Sequence, residues 1–213
     1  MTPRWLKRAA RARELAGRYP ATRQILLFYA GLAEWQATAT GPPEQLLPGL
    51  VELVLRTGPQ TLQETARGLT RLPELDAPPP LDFFARAARQ PCAISQQCPE
   101  CGKAPQAGCL RPEGDGLALE LVCSLCFGRS PFPRARCPAC GESGEGRLVF
   151  YSAPEFEHLR IQVCETCRAY LPLVDLSREP AAIPEVDELA GLPLDLWAQE
   201  QGYHKIHRNL AGV

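Results

Sequence analysis

Nowhere does the chain carry an uninterrupted apolar run approaching the roughly 18 residues that a membrane span needs. The opening stretch, MTPRWLKRAARARELAGRYP, has no apolar core of signal-peptide length either. These two absences predict a cytoplasmic chain with no membrane span, held in a reducing compartment. Catalytic signatures are missing as well. There is no Gly-rich loop to cradle a phosphate, no Gly-x-Ser-x-Gly elbow and no His-Glu-x-x-His pair. No enzyme is expected. What is present is ordinary globular material: 213 residues, 45% hydrophobic and 22% charged, enough for one or two domains with a buried core.

Cysteine is the exception. Ten occur, and apart from Cys92 all fall between Cys98 and Cys167. Eight of them form four Cys-x-x-Cys pairs, CPEC, CSLC, CPAC and CETC. A domain of this size does not need disulfides to hold it together, and a reducing compartment disfavours them. One Cys-x-x-Cys turn lets two thiolates converge on a cation, and a second turn supplies the other two corners of a tetrahedron. Pro99 and Pro138 pre-set a turn dihedral, while Gly102 and Gly141 tolerate the positive φ that aims backbone N–H groups at sulfur. The expected metal ligands are therefore Cys98, Cys101, Cys123 and Cys126 at one site, and Cys137, Cys140, Cys164 and Cys167 at another. The intervals between the first and second pairs, and between the third and fourth, suit a ribbon closed by two knuckles. Equivalent cysteines are offset by 39 residues (98 to 137) and 41 residues (123 to 164), which marks a duplicated module.

Competing readings are weaker. Thioredoxin-like chemistry needs one pair at a helix N-terminus, and ferredoxin-type iron–sulfur ligation has other spacings. Four thiolates hold two kinds of single ion equally well, zinc or a rubredoxin-type iron, so two metal ions are expected without a choice between them. With all eight cysteines used as ligands, neither site keeps a position open for substrate. Cys92 and Cys109 read as small buried hydrophobes, and His158, His204 and His207 as bystanders.

Helical periodicity dominates the first 90 residues. Ile25, Phe28, Tyr29, Leu32 and Trp35 form one stripe, and Leu47, Leu50, Val51 and Val54 another. Thr61 and Glu64 stand at capping-box spacing, and LDFFARAARQP is a last helix. A basic first helix (Arg4, Lys7, Arg8, Arg11, Arg13, Arg18) offers a cationic face. Further on, GLALELVC, RLVFYS and HLRIQVC read as strands. The predicted class is α+β: a helical bundle at 1–90, two tandem rubredoxin-like or zinc-ribbon modules at 91–131 and 132–178, and a C-terminal helix and tail at 179–213.

From Pro91 to Asp175 there are eight Lys and Arg against ten Asp and Glu, and each four-thiolate site with a divalent ion adds about two negative charges. Phosphate backbones prefer the opposite sign. A protein partner is therefore expected ahead of nucleic acid. RAARQPCAISQQCPECGKAPQAG, LVCSLC, ARCPACGESG, CETCRAYL and DELAGLPLDLWAQEQGY together resemble the formate dehydrogenase accessory protein family, FdhE, from Leu81 to roughly Tyr203. The resemblance implies two rubredoxin-like domains behind a helical one, iron as the metal, a cytoplasmic non-catalytic role, and the catalytic subunit of a formate dehydrogenase as the partner during maturation. The alternative from the residues alone is a ribbon-type nucleic-acid-binding or transcription-related adaptor.

Overall fold

The computed structural model describes residues 3–93 and 101–212. It divides into two units, residues 1–94 with 210–212, and residues 95–209. The first is helical: α1 (Pro3–Arg18), α2 (Arg23–Thr38), α3 (Pro43–Thr57), α4 (Gln60–Arg67) and α5 (Leu81–Ala93). The α2 stripe is turned slightly from its expected position. Leu26, Phe28, Tyr29, Leu32 and Ala33 are buried, whereas Ile25 and Trp35 are half-buried. Gln36 of α2 donates from Nε2 to the Ala87 carbonyl and to Gln90 Oε1, both at 3.0 Å, which ties α2 to α5.

Two expectations for this unit do not hold. Thr61 lies inside α4, whose N-cap is Pro59, so no capping box forms, and Glu64 instead accepts from Gln60 at 2.8 Å. The cationic face of α1 is also depleted. Arg8 and Arg11 are buried beside Trp5, Ala12 and Leu15, with the Arg8 guanidinium 4.8 Å from the Trp5 ring centroid, and Arg13 pairs with Glu34 at 2.6 Å. Long arginine stems are apolar enough to join a core when the head group finds partners.

The second unit is one seven-stranded sheet: β1 (Pro105–Glu113), β2 (Gly116–Cys123), β3 (Arg129–Phe132), β4 (Leu148–Tyr151), β5 (Leu159–Cys164), β6 (Ala169–Asp175) and β7 (His204–Lys205), with α6 (Pro184–Ala190) and α7 (Leu192–Glu200) between the last two strands. The order β3-β2-β1-β6-β5-β4 shows the duplication directly. Each copy is an antiparallel run of three strands, and the first strand of one copy pairs in parallel with the last strand of the other, Gly108 opposite Leu173. Both outer strands, β3 and β4, have four residues, a length that limits unwanted edge pairing.

Strand β6 is buried at every position, so it lacks the alternation that marks a half-exposed strand. It also contains Pro172, which is unusual inside a sheet. On one side β6 pairs with β7 at Ala169 and Tyr170 and with β1 from Leu173 onward. Pro172 falls between these partners, where its missing N–H is not needed.

Gly108 is required by packing. A Cβ there would sit 2.5 Å from Leu173 Cδ2, 2.9 Å from Leu119 Cδ1 and 3.1 Å from Leu171 Cδ2, and all three leucines are buried. Gly108→Ala is expected to destabilise the chain by about 1–3 kcal/mol. Gly17→Ala in α1, where a Cβ meets nothing within 4 Å, should be neutral or stabilising by up to about 1 kcal/mol. Urea unfolding of the two variants checks the contrast, and equal effects would refute it.

Candidate metal centre

The second, third and fourth knuckles are tight turns held by their own backbone. In the third, Gly141 N–H donates to the Cys137 carbonyl at 2.9 Å and Cys137 N–H to the Glu142 carbonyl at 2.8 Å. In the fourth, Arg168 N–H donates to the Cys164 carbonyl at 2.8 Å, and in the second Phe127 N–H donates to that of Cys123 at 3.2 Å. The residue that follows the second cysteine of each pair has positive φ: Gly102 (56°), Gly141 (80°), Phe127 (56°) and Arg168 (62°). Glycine was legible at two of these positions. The other two carry side chains in a region they seldom occupy, a local strain repeated at equivalent points of both copies.

These turns bring the sulfurs together. Cys137, Cys140, Cys164 and Cys167 form one cluster, with all Sγ atoms within 4.8 Å of one another. Cys137 to Cys167 is 3.8 Å and Cys140 to Cys164 is 3.7 Å. A tetrahedron with metal–sulfur bonds of about 2.3 Å has edges of about 3.8 Å, so the donor set and its dimensions fit a four-thiolate ion. Cys101, Cys123 and Cys126 form the other cluster, at 3.1 Å and 3.4 Å from Cys101. Cys98, the fourth expected ligand, lies outside the described residues. Gly128 N–H points at Cys126 Sγ at 3.3 Å, the kind of N–H to sulfur contact that lowers thiolate charge.

The clusters differ in exposure: Cys140 is open to solvent, whereas Cys123 and Cys126 are buried. Glu142 links the two knuckles of the second site, accepting from the N–H groups of Ser143 and Gly144 and from the Thr166 hydroxyl. Gly144 N–H and then the Thr166 hydroxyl hold its carboxyl below the usual range.

Burial pushes the Cys123 thiol up to about 11 and the Cys167 thiol up to about 12, and it raises Cys137. Cys164 goes the other way: burial opposes ionisation, but the N–H groups of Cys167 and Thr166 outweigh it. Most of these thiols therefore keep their protons near neutrality unless a cation displaces them. Any bound metal competes with protons, and occupancy should fall as pH is lowered from neutrality. Metal release to a chromophoric chelator at stepwise lower pH tests this, and release independent of pH would refute it.

No histidine joins either cluster among the described residues. Cys109 is buried as expected, but Cys92 is exposed, its thiol donating to the Gly41 carbonyl at 3.3 Å. The larger departure is a buried polar network. His158 Nε2 lies 2.8 Å from Asp187 Oδ1, and Asp187 Oδ2 accepts from Ile183 N–H. Gln106 donates to Glu188 at 2.6 Å, and Lys205 reaches Glu188 at 3.2 Å and Asp195 at 2.9 Å. Burial alone would lower the Lys205 pKa, but the two carboxylates hold it above its usual value. Sequence pattern does not reveal this network, because acidic residues on a short helix read as a solvated face. Lys205→Met would leave Glu188 and Asp195 buried without their cation, at an expected cost of about 3–5 kcal/mol. Urea unfolding measures that cost, and a change under about 1 kcal/mol would contradict it.

Residues 135–211 match the family model described as "FdhE, C-terminal domain". The chain is similar to FdhE proteins. It is 33% identical over 116 residues to the protein FdhE homolog of Aquifex aeolicus (strain VF5), covering 54% of this chain and 41% of the other. It is 34% identical over 126 residues to the protein FdhE homolog of Pseudomonas putida, covering 57% of this chain and 40% of the other. The matched stretch thus spans about two fifths of these FdhE relatives. The crystal structure of the FdhE protein from Pseudomonas aeruginosa superposes with a TM-score of 0.68 at 24% identity, over 97% of this chain and 94% of that one, so the two share a fold.

Proposed function

We propose that the protein is a non-catalytic accessory factor that binds the catalytic subunit of a formate dehydrogenase and supports its maturation, with a four-cysteine metal ion at each of two sites. The observation that carries this reading is the pair of sulfur clusters, one in each ribbon copy of a chain related to FdhE. Cys98, Cys101, Cys123 and Cys126 would hold one ion, and Cys137, Cys140, Cys164 and Cys167 the other. A bound ion would supply a cross-link between knuckles, and an iron would add one-electron chemistry. The ligand set leaves no vacant position, which suits holding or sensing rather than turnover. Among the described residues no helix is long and apolar enough to cross a membrane, which is compatible with the cytoplasmic site of action proposed here.

Elemental analysis of freshly purified, reduced protein should give about two metal ions per chain. Affinity capture from the native cell should recover a dehydrogenase catalytic subunit with the intact protein, and much less with Cys98→Ser or Cys137→Ser. Fewer than one metal ion per chain, or recovery of RNA and polymerase alone, would overturn the reading.

A further inference from the structure

The sheet of the second unit has two faces. Helix α7 lies against the one formed by Ile161, Val163 and Tyr170, where Ala198 and Tyr203 complete the cluster. The opposite face curls so that Leu119 of β2 and Phe150 of β4, with three strands between them, line a single cavity of about 60 Å³. Leu110 and Leu173 complete its apolar wall, so both ribbon copies contribute and the cavity sits at their seam. Phe150 stands at the rim with 49% of its surface exposed, among the most exposed large apolar side chains of the chain.

Three polar features converge here. Gln162 is 3% exposed and lines the cavity, and its Oε1 has no hydrogen-bond donor among the described residues. A buried carbonyl without a donor costs about 1–3 kcal/mol, so a ligand N–H would be recognised there. Arg160 also lines the cavity, but Asp175 already neutralises it. Arg134 is exposed, lines the cavity, and has only a backbone acceptor, the Leu117 carbonyl at 3.2 Å. Arg136 is close by in the same linker between the copies, where its carbonyl accepts from Gln162 Nε2 at 3.4 Å. Elsewhere in this unit Arg111, Arg129, Arg168 and Lys205 each face a carboxylate. No carboxylate of the described residues pairs with Arg134 or Arg136. One uncompensated cation, Arg134, thus flanks an apolar hole in an otherwise acidic unit, while the Arg136 guanidinium lies against Gly141 of the third knuckle.

The volume decides the ligand class. Sites for cofactors or drug-sized molecules run to about 300–1,000 Å³. A cavity near 60 Å³ takes one aliphatic side chain. We propose that the seam cavity is a docking pocket for an acidic linear segment of a partner protein: one aliphatic side chain enters between Leu110, Leu119 and Leu173, a backbone N–H of the segment reaches Gln162 Oε1, and a flanking carboxylate meets Arg134. The proposal deepens the accessory-factor reading, on which it rests for the partner's identity but not for the partner's chemistry. Because both copies build the walls, the pocket exists only while both ribbons are folded.

A random-peptide phage library panned against the intact, reduced chain tests this without knowing the partner. The expected consensus is Leu, Ile or Val flanked by Asp or Glu. A synthetic peptide carrying that consensus should lose about tenfold in affinity with Arg134→Glu and with Phe150→Ser, and should be unaffected by Arg147→Glu, an exposed change in the loop before β4. Unchanged thermal melting confirms that the variants remain folded. No enriched consensus, a basic or wholly polar one, or equal binding by all variants would overturn the pocket. A dehydrogenase subunit captured equally well by the wild type and by both pocket variants would overturn it while leaving the accessory reading intact. An acidic consensus sensitive to both variants, with no such subunit captured, would do the reverse.

Discussion

The parallel pairing of β1 with β6 is the contact on which the ribbon half depends. It joins the first strand of one copy to the last strand of the other, so that two small three-stranded ribbons become a single sheet. A ribbon of that size buries little apolar surface alone, and sharing the seam gives both copies a common core. Gly108 makes the approach possible by leaving room for three leucine side chains. The seam also carries the buried polar network: carboxylates of α6 take Gln106 from β1 on one side and His158, just before β5, on the other. Such a network is costly when incomplete and specific when satisfied, so it sets one arrangement of the two copies.

Cohesion within each copy has a different origin. Each sulfur cluster draws its described cysteines from a single copy, and the second, third and fourth knuckles are each set by hydrogen bonds spanning a few residues. The knuckles are therefore local structures, while the seam is long-range. Disturbing a cluster would act first on its own ribbon, and it would reach the other ribbon only through β1, β6 and α6. The seam cavity lies on the far side of this shared sheet from α7, which makes its shape sensitive to both copies at once.

Charge is divided in a similar way. The basic residues of α1 that suggested a cationic docking face are partly withdrawn: Arg8 and Arg11 are buried and Arg13 is paired. The uncompensated positive charge that remains beside an apolar cavity is in the linker between the copies, at Arg134. An acidic partner would thus find its complement at one basic spot of the ribbon unit, although the unit as a whole is negatively charged.

The sequence alone pointed to the clustering of the described cysteines, the helical character of the first 90 residues, the two knuckle glycines and the strands at β2, β4 and β5. All of these depend on neighbours within a few positions or on a repeated spacing, and so leave a local imprint. Strands β1 and β6 left none. Pro105, Pro112 and Pro172 argue against a strand locally, and burial on both faces removes the alternation that would identify β6. Only the tertiary structure placed Glu188, Asp195 and Lys205 in the interior, exposed Cys92, moved the α4 cap from Thr61 to Pro59, and joined the two copies at one seam. Except at the α4 cap, where the contacts are local, those outcomes are decided by partners distant in sequence, whose packing overrides the preference that the residue shows alone.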